Sequence, residues 1–168
     1  MRVYVPATLA MLQRLVADRS VSAVNGTAFA VTPALRESYS DGDEDELADV
    51  ALREAALASL RLLAGAADEG DGGFPARRAV LVADVDGATP RPDLDDAVVR
   101  LSGPVGIEAV LAAYIDNESA EAAVLAAIDA IDEADLGDED AELTVGDAQD
   151  HDLAWYATQE LSFLLELL

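Results

Sequence analysis

The sequence predicts an α+β fold: a small, mainly antiparallel sheet covered by several helices. Three observations carry this. Apolar residues make up 52% of the chain, so a core can form despite the charge, and disorder is not implied. β-prone runs such as Ala79-Val80-Leu81-Val82-Ala83 are separated by stretches in which Leu, Ile and Val recur every three or four residues. The resulting order, β-α-(ββ)-α-β-β-α-α-β-α, puts strands next to strands, as antiparallel pairing allows. A length of 168 residues fits one domain, 1–168, with a flexible Gly/Asp-rich loop near 65–76.

Arg2 to Val5 alternates and is rich in β-formers, and Pro6 is expected to end this strand. Thr8 is placed to cap a helix to about Asp18, with Leu9, Leu12, Leu15 and Val16 on one face. In Val21–Val31 the pair Asn25-Gly26 fits either a two-residue hairpin or an extended loop with a tight turn. Thr32-Pro33 starts a short helix through Tyr39. The acids of 41–46 open a long helix from about Asp43 to Ala66, with Leu47, Val50, Leu57, Leu60 and Ala64 as its buried stripe.

Arg78 to Val85 reads as a central strand. A Pro- and Asp-rich connection, 86–96, leads to a second strand at Ala97–Leu101. Ser102-Gly103-Pro104 then turns into a helix burying Ile107, Val110, Leu111 and Tyr114, and residues 116–119 interrupt it. A further helix carries Val124, Leu125, Ile128 and Ile131. Glu142–Val145 reads as a short strand, and a final amphipathic helix from about Asp150 aligns Leu153, Ala157, Leu161, Leu164 and Leu168. Without the 21–31 segment and the first helix, the order resembles the ferredoxin-like β-α-β-β-α-β core, a plait that hosts many functions.

Composition excludes several function classes. With 34 acids against ten bases, the net charge is −24, which repels nucleic acid and anionic membranes. All ten bases are arginine, so P-loop and Schiff-base lysines are ruled out. The absence of cysteine removes disulfides, thiolate nucleophiles and thiolate metal sites. No window approaches the eighteen or so apolar residues of a membrane span, and Met1–Pro6 reads as a strand rather than a secretion signal, so a cytoplasmic protein is expected. A GC-rich genome accounts for the missing lysine better than adaptation to salt.

Ala83-Asp84-Val85-Asp86-Gly87-Ala88-Thr89 resembles the first motif of haloacid-dehalogenase-type phosphatases. That resemblance implies Asp84 as a nucleophile forming an aspartyl-phosphate, Asp86 as general acid, and Mg²⁺ alongside. The sequence departs from the pattern at Ala88, where threonine is usual, and in having no lysine. The clusters 41–46, 137–140 and 147–152 have a calcium-like composition, but their glycines are misplaced for an EF-hand loop. His151 is the sole histidine, and no Gly-x-Ser-x-Gly elbow supplies a serine for a triad. Neither cofactor nor metal is implied.

The candidate binding residues are Asn25, Arg36, His151, Trp155, Tyr156 and Gln159. A leucine-striped helix cannot bury Trp155 and Tyr156 equally with its leucines: either both rings cover the edge of the core, or one of them is left as a contact surface. The pair Arg77-Arg78 suits an anion or the neighbouring acids. Tyr4–Leu9, Asn25–Glu37 and the tail Leu153-Ala154-Trp155-Tyr156 with Gln159-Glu160-Leu161 resemble an uncharacterised protein family of high-GC Gram-positive actinobacteria. The resemblance covers essentially the whole chain and implies no catalytic residue. The sequence therefore reads as a non-enzymatic cytoplasmic binding or regulatory protein whose partner is another protein. The alternatives are a Mg²⁺-dependent phosphatase using Asp84 and Asp86, or a salt-adapted protein whose acids imply no site.

Overall fold

The computed structural model describes residues 1–66 and 70–168. In chain order it contains β1 (Arg2–Ala7), α1 (Leu9–Asp18), β2 (Ser20–Val21), β3 (Thr27–Phe29), α2 (Pro33–Ser38), α3 (Glu44–Gly65), β4 (Ala79–Asp84), β5 (Thr89–Pro90), β6 (Val98–Arg100), β7 (Val105–Gly106), β8 (Val110–Ile115), α4 (Glu121–Asp135), α5 (Glu139–Gln149), β9 (Ala154–Ala157) and α6 (Leu161–Leu167). Seven strands form one sheet in the order β5-β6-β3-β1-β4-β8-β9, and every neighbouring pair is antiparallel. β2 and β7 form a separate two-stranded ribbon. The α+β class is as expected; a ferredoxin-like core is not confirmed.

Alternation along the central strands builds two cores. Val3, Val5 and Ala7 of β1 and Ala79, Leu81 and Ala83 of β4 pack with α1 and α6 on one face. Tyr4, Val80 and Val82 point the other way, towards α2 and α3. A third cluster joins the C-terminal half of α3 to α4 and α5 through Leu60, Leu63, Val124, Ile131 and Val145. The buried Ser59 hydroxyl stitches α3 to the sheet, donating to the Ala7 carbonyl at 2.7 Å and accepting from the Ala79 N–H at 3.0 Å. Side-chain caps set the helix starts: Thr8 accepts from the Met11 N–H, Thr32 from Leu35 and Asp43 from Glu46.

Several expectations change. Pro6 does not end β1 but lies within it, opposite Val80; pairing with β3 is limited to Tyr4–Phe29, which leaves room for a residue without an N–H. Asn25 and Gly26 both adopt positive φ, 58° and 69°, as their dipeptide favours. The flanking strands nevertheless pair elsewhere, β2 with β7 and β3 with β6, so the turn closes no hairpin. The buried stripe of α3 is Leu47, Ala51, Ala55, Leu60 and Leu63; Val50, Leu57 and Ala64 are only half-buried. On α4 Leu125 faces solvent.

The segment 105–115 forms two strands and a 3₁₀ turn, not a helix. A bulge explains the misleading spacing: Ala83 pairs with Val110 and Val82 with Ala112, which leaves Leu111 as an extra, exposed residue. Residues 142–145 lie inside α5, whose start is fixed by the Asp138 cap and by Glu139, Asp140 and Glu142 near the positive end of its dipole. The C-terminal helix starts at Leu161; the residues before it form β9 and a 3₁₀ turn. In the expected loop near 65–76, Gly65 still belongs to α3, and Asp71 and Phe74 close a turn. Residues 67–69 of that loop lie outside the described residues. No helix among the described residues is long and apolar enough to cross a membrane.

Candidate functional site

β9 lies at one end of the sheet and, among the described residues, pairs only with β8. Its outer edge therefore presents backbone N–H and C=O groups that no strand among the described residues takes up. Side chains alternate along it. Tyr156, opposite Ala113, packs into the α1/α6 core. Trp155 lies opposite Tyr114 on the other face and is 57% exposed. Residues directly opposed across an antiparallel pair have Cβ atoms about 5 Å apart, so Trp155 and Tyr114 form a cross-strand aromatic pair. On the same face burial pushes the Tyr4 phenol up; Arg2 opposes this, while Tyr114 and Asp49 add to it.

A buried ion pair fastens this edge to the sheet. Arg78 and Asp116 are 1% and 0% exposed and meet in a bidentate fork, Nε to Oδ2 at 2.9 Å and Nη2 to Oδ1 at 2.8 Å. The Arg78 N–H also donates to Asp116 Oδ2 at 2.7 Å. The guanidinium then reaches the connection that precedes β9: Nη1 donates to Gln149 Oε1 at 2.7 Å and Nη2 to the His151 carbonyl at 2.9 Å. Arg78 directly precedes β4, Asp116 follows β8, and Gln149 ends α5, so one side chain ties together three elements around β9. Its neighbour Arg77 donates to Glu121 at 3.0 Å. The acids closest to this basic pair in space thus occupy both guanidinium groups.

Charge is distributed unevenly. All ten arginines precede residue 101; the last 68 residues, which supply β7, β8, α4, α5, β9 and α6, hold 17 Asp and Glu and no lysine or arginine. Asp150, Asp152 and Glu160 flank β9 in sequence and are exposed. The edge thus combines an aromatic face, backbone groups that no strand among the described residues takes up, and a net negative charge.

The other expected site residues do not converge on it. Asn25 lies in the turn before β3, where its carbonyl accepts from Arg100 Nη1 at 2.7 Å. Arg36 on α2 is exposed, paired with Glu44, and lines a depression with Arg2, Tyr4 and Asp84. His151 sits half-buried between α5 and β9, beside Arg53 and Leu153. Gln159 is exposed in the 3₁₀ turn after β9 and lines a recess with Val16 and Ile107. Only Trp155 and Tyr156 share a strand, and they point to opposite faces.

Asp84 is exposed at the end of β4 and accepts from the Met1 amino group at 3.2 Å. Asp86 is exposed in the following bend; Gly87 there has φ 76°, and a Cβ would collide with Ser102 Oγ. The two carboxylates thus end an antiparallel strand rather than the parallel β-α-β frame usual for the phosphatase motif. No three His, Cys, Asp or Glu side chains among the described residues gather as metal ligands would. A groove of about 710 Å³ between the end of α3, Phe74 and α4 is lined by Leu63, Leu125 and Ile128, and none of the expected site residues reaches it.

Sequence reasoning missed Tyr114 and the fastening role of Arg78 and Asp116. The signal for Tyr114 was the density of β-branched and aromatic residues in Val110–Ile115, which favours strand over helix. Asp116 carried no signal, because its partner is 38 residues away in sequence.

No curated protein and no solved structure matches the chain. Residues 1–165 match the family described as "Family of unknown function (DUF6912)". The chain belongs to that family.

Proposed function

We propose that this member of the family is a non-enzymatic binding protein, one domain over 1–168, that acts in the cytoplasm through protein contacts. The arginine-only, alanine-rich composition supports a high-GC Gram-positive actinobacterial source. The contact is made by strand addition: an extended segment of the partner pairs with the outer edge of β9. One observation carries this reading. Among the described residues β9 is an open sheet edge bearing a large aromatic ring, Trp155, that is 57% exposed and directly beside backbone groups no other strand takes up. In strand addition, main-chain hydrogen bonds supply affinity and side chains on alternate positions supply specificity. Four residues, Ala154–Ala157, offer about 13 Å of edge, enough for a short segment.

The test is amide hydrogen exchange on the whole chain with a panel of immobilised ten-residue peptides of alternating apolar and polar sequence. At least one peptide is expected to bind and to slow exchange within 154–157. A panel with no binder, or binders that leave 154–157 unchanged, would overturn the reading.

A further inference from the structure

We infer, resting on the strand-addition reading, that the segment taken by β9 is basic and that one of its cationic side chains stacks on Trp155. Three independent features point there. First, β8, α5, β9 and α6 come from the 68 residues that contain 17 acids and no lysine or arginine, and the arginines Arg53, beside His151, and Arg19, beside Gln159, approach from outside them at the two ends of the strand. Arg78, the cation that approaches from β4, is consumed by Asp116, Gln149 and the His151 carbonyl. Second, the exposed ring is a tryptophan, the best cation–π acceptor, held beside Tyr114 so that an incoming cation meets an aromatic surface and not an isolated side chain. Third, the same charge selects against the alternative occupant of an open edge. A second copy would bring its own −24, whereas a basic segment gains from the field in both encounter rate and register.

The chemistry is that of a guanidinium or ammonium group over an indole face, with neighbouring cations of the segment facing Asp150, Asp152 and Glu160. Because residues alternate along an added strand, the cations of the segment are expected at every second position, on the face that carries Trp155.

The experiment uses the full chain and three synthetic peptides of one length: (Arg-Val)₅, (Gln-Val)₅ and (Glu-Val)₅. The chain has one tryptophan, so indole fluorescence reports on Trp155 alone. The (Arg-Val)₅ peptide is expected to change that fluorescence on binding, to slow amide exchange at 154–157, and to bind at least ten-fold more tightly than (Gln-Val)₅ in low salt. Trp155→Leu is expected to weaken (Arg-Val)₅ binding about five-fold while Trp155→Phe keeps part of it, as loss of a cation–π contact requires. If (Gln-Val)₅ protects 154–157 as well as (Arg-Val)₅, strand addition stands and the basic partner is wrong. If (Arg-Val)₅ binds without protecting 154–157, the inference fails, because the attraction is then diffuse. If none of the three protects 154–157, both readings fail together.

Discussion

At one end of the sheet β5 contributes two residues, Thr89 and Pro90; at the other, β9 contributes four, Ala154–Ala157. Pro90 has no N–H to offer, and once the Arg91 N–H has donated to Val98 O of β6 the chain turns away, the Leu94 N–H donating to Arg91 O. An ion pair between Arg91 and Asp93 covers the turn. β9 has no proline and carries an exposed indole. Short strands and prolines are the usual means of blunting a sheet edge, and this sheet uses both at one end only. An edge left open beside a protected one points to use, and the strong acidity supplies the restraint against self-pairing that the sequence of β9 lacks.

The largest expected effect is at the fastening of the open edge. Arg78→Ala leaves Asp116 fully buried without its partner, which should lower unfolding free energy by about 3–5 kcal/mol in denaturant titrations. Because Arg78 also holds Gln149 and the His151 carbonyl, amide exchange should accelerate more at 154–157 than at Thr89, whose amide is the one β5 has. Equal acceleration at both edges would show that the pair stabilises the sheet generally. Within β9, Tyr156→Ala should cost about 2 kcal/mol because that ring packs into the core. Trp155→Ala should cost under about 1 kcal/mol, since its ring is mostly in solvent; reversed values would exchange the roles of the two rings.

At the closed edge, Pro90→Val should change stability by less than about 1 kcal/mol, because a two-residue strand has little pairing to gain. The smallest effect concerns Asp93. Its hydrogen bond from Arg91 holds the carboxyl below its ordinary range. The sign follows from that direction: the stabilisation is present above the unfolded-state pKa and is lost as pH falls through the lower folded-state value. Carboxyl titration by NMR should find Asp93 titrating at lower pH than in Arg91→Gln; identical midpoints would show that the pair does not form in solution.

The first half of the chain was legible because its signals are local. Thr8, Thr32-Pro33 and Asp43 fix three helix starts, and the run Ala79–Ala83 identifies the central strand. After Pro104 the deciding interactions are distant. Ile107, Val110, Leu111 and Tyr114 have helical spacing, yet β8 is set by its neighbours β4 and β9 and by a bulge at Leu111. Leu153, Ala157 and Leu161 fall into a helical stripe by coincidence, since the first two flank or end a strand and the third begins a helix. That Trp155 and Tyr156 differ in burial was legible, but on the wrong element and without saying which ring is exposed. A helix would have offered only its side chain, whereas the strand adds an open backbone edge.

The central claim is that the two edges differ in what they accept, and photo-crosslinking tests it most directly. A benzophenone-bearing residue is placed at Ala154 or, in a separate protein, at Thr89, and each protein is irradiated with (Arg-Val)₅. The expected result is crosslinked peptide from position 154 and none above background from position 89. Equal yields at the two positions, or no crosslink at 154, would contradict the account.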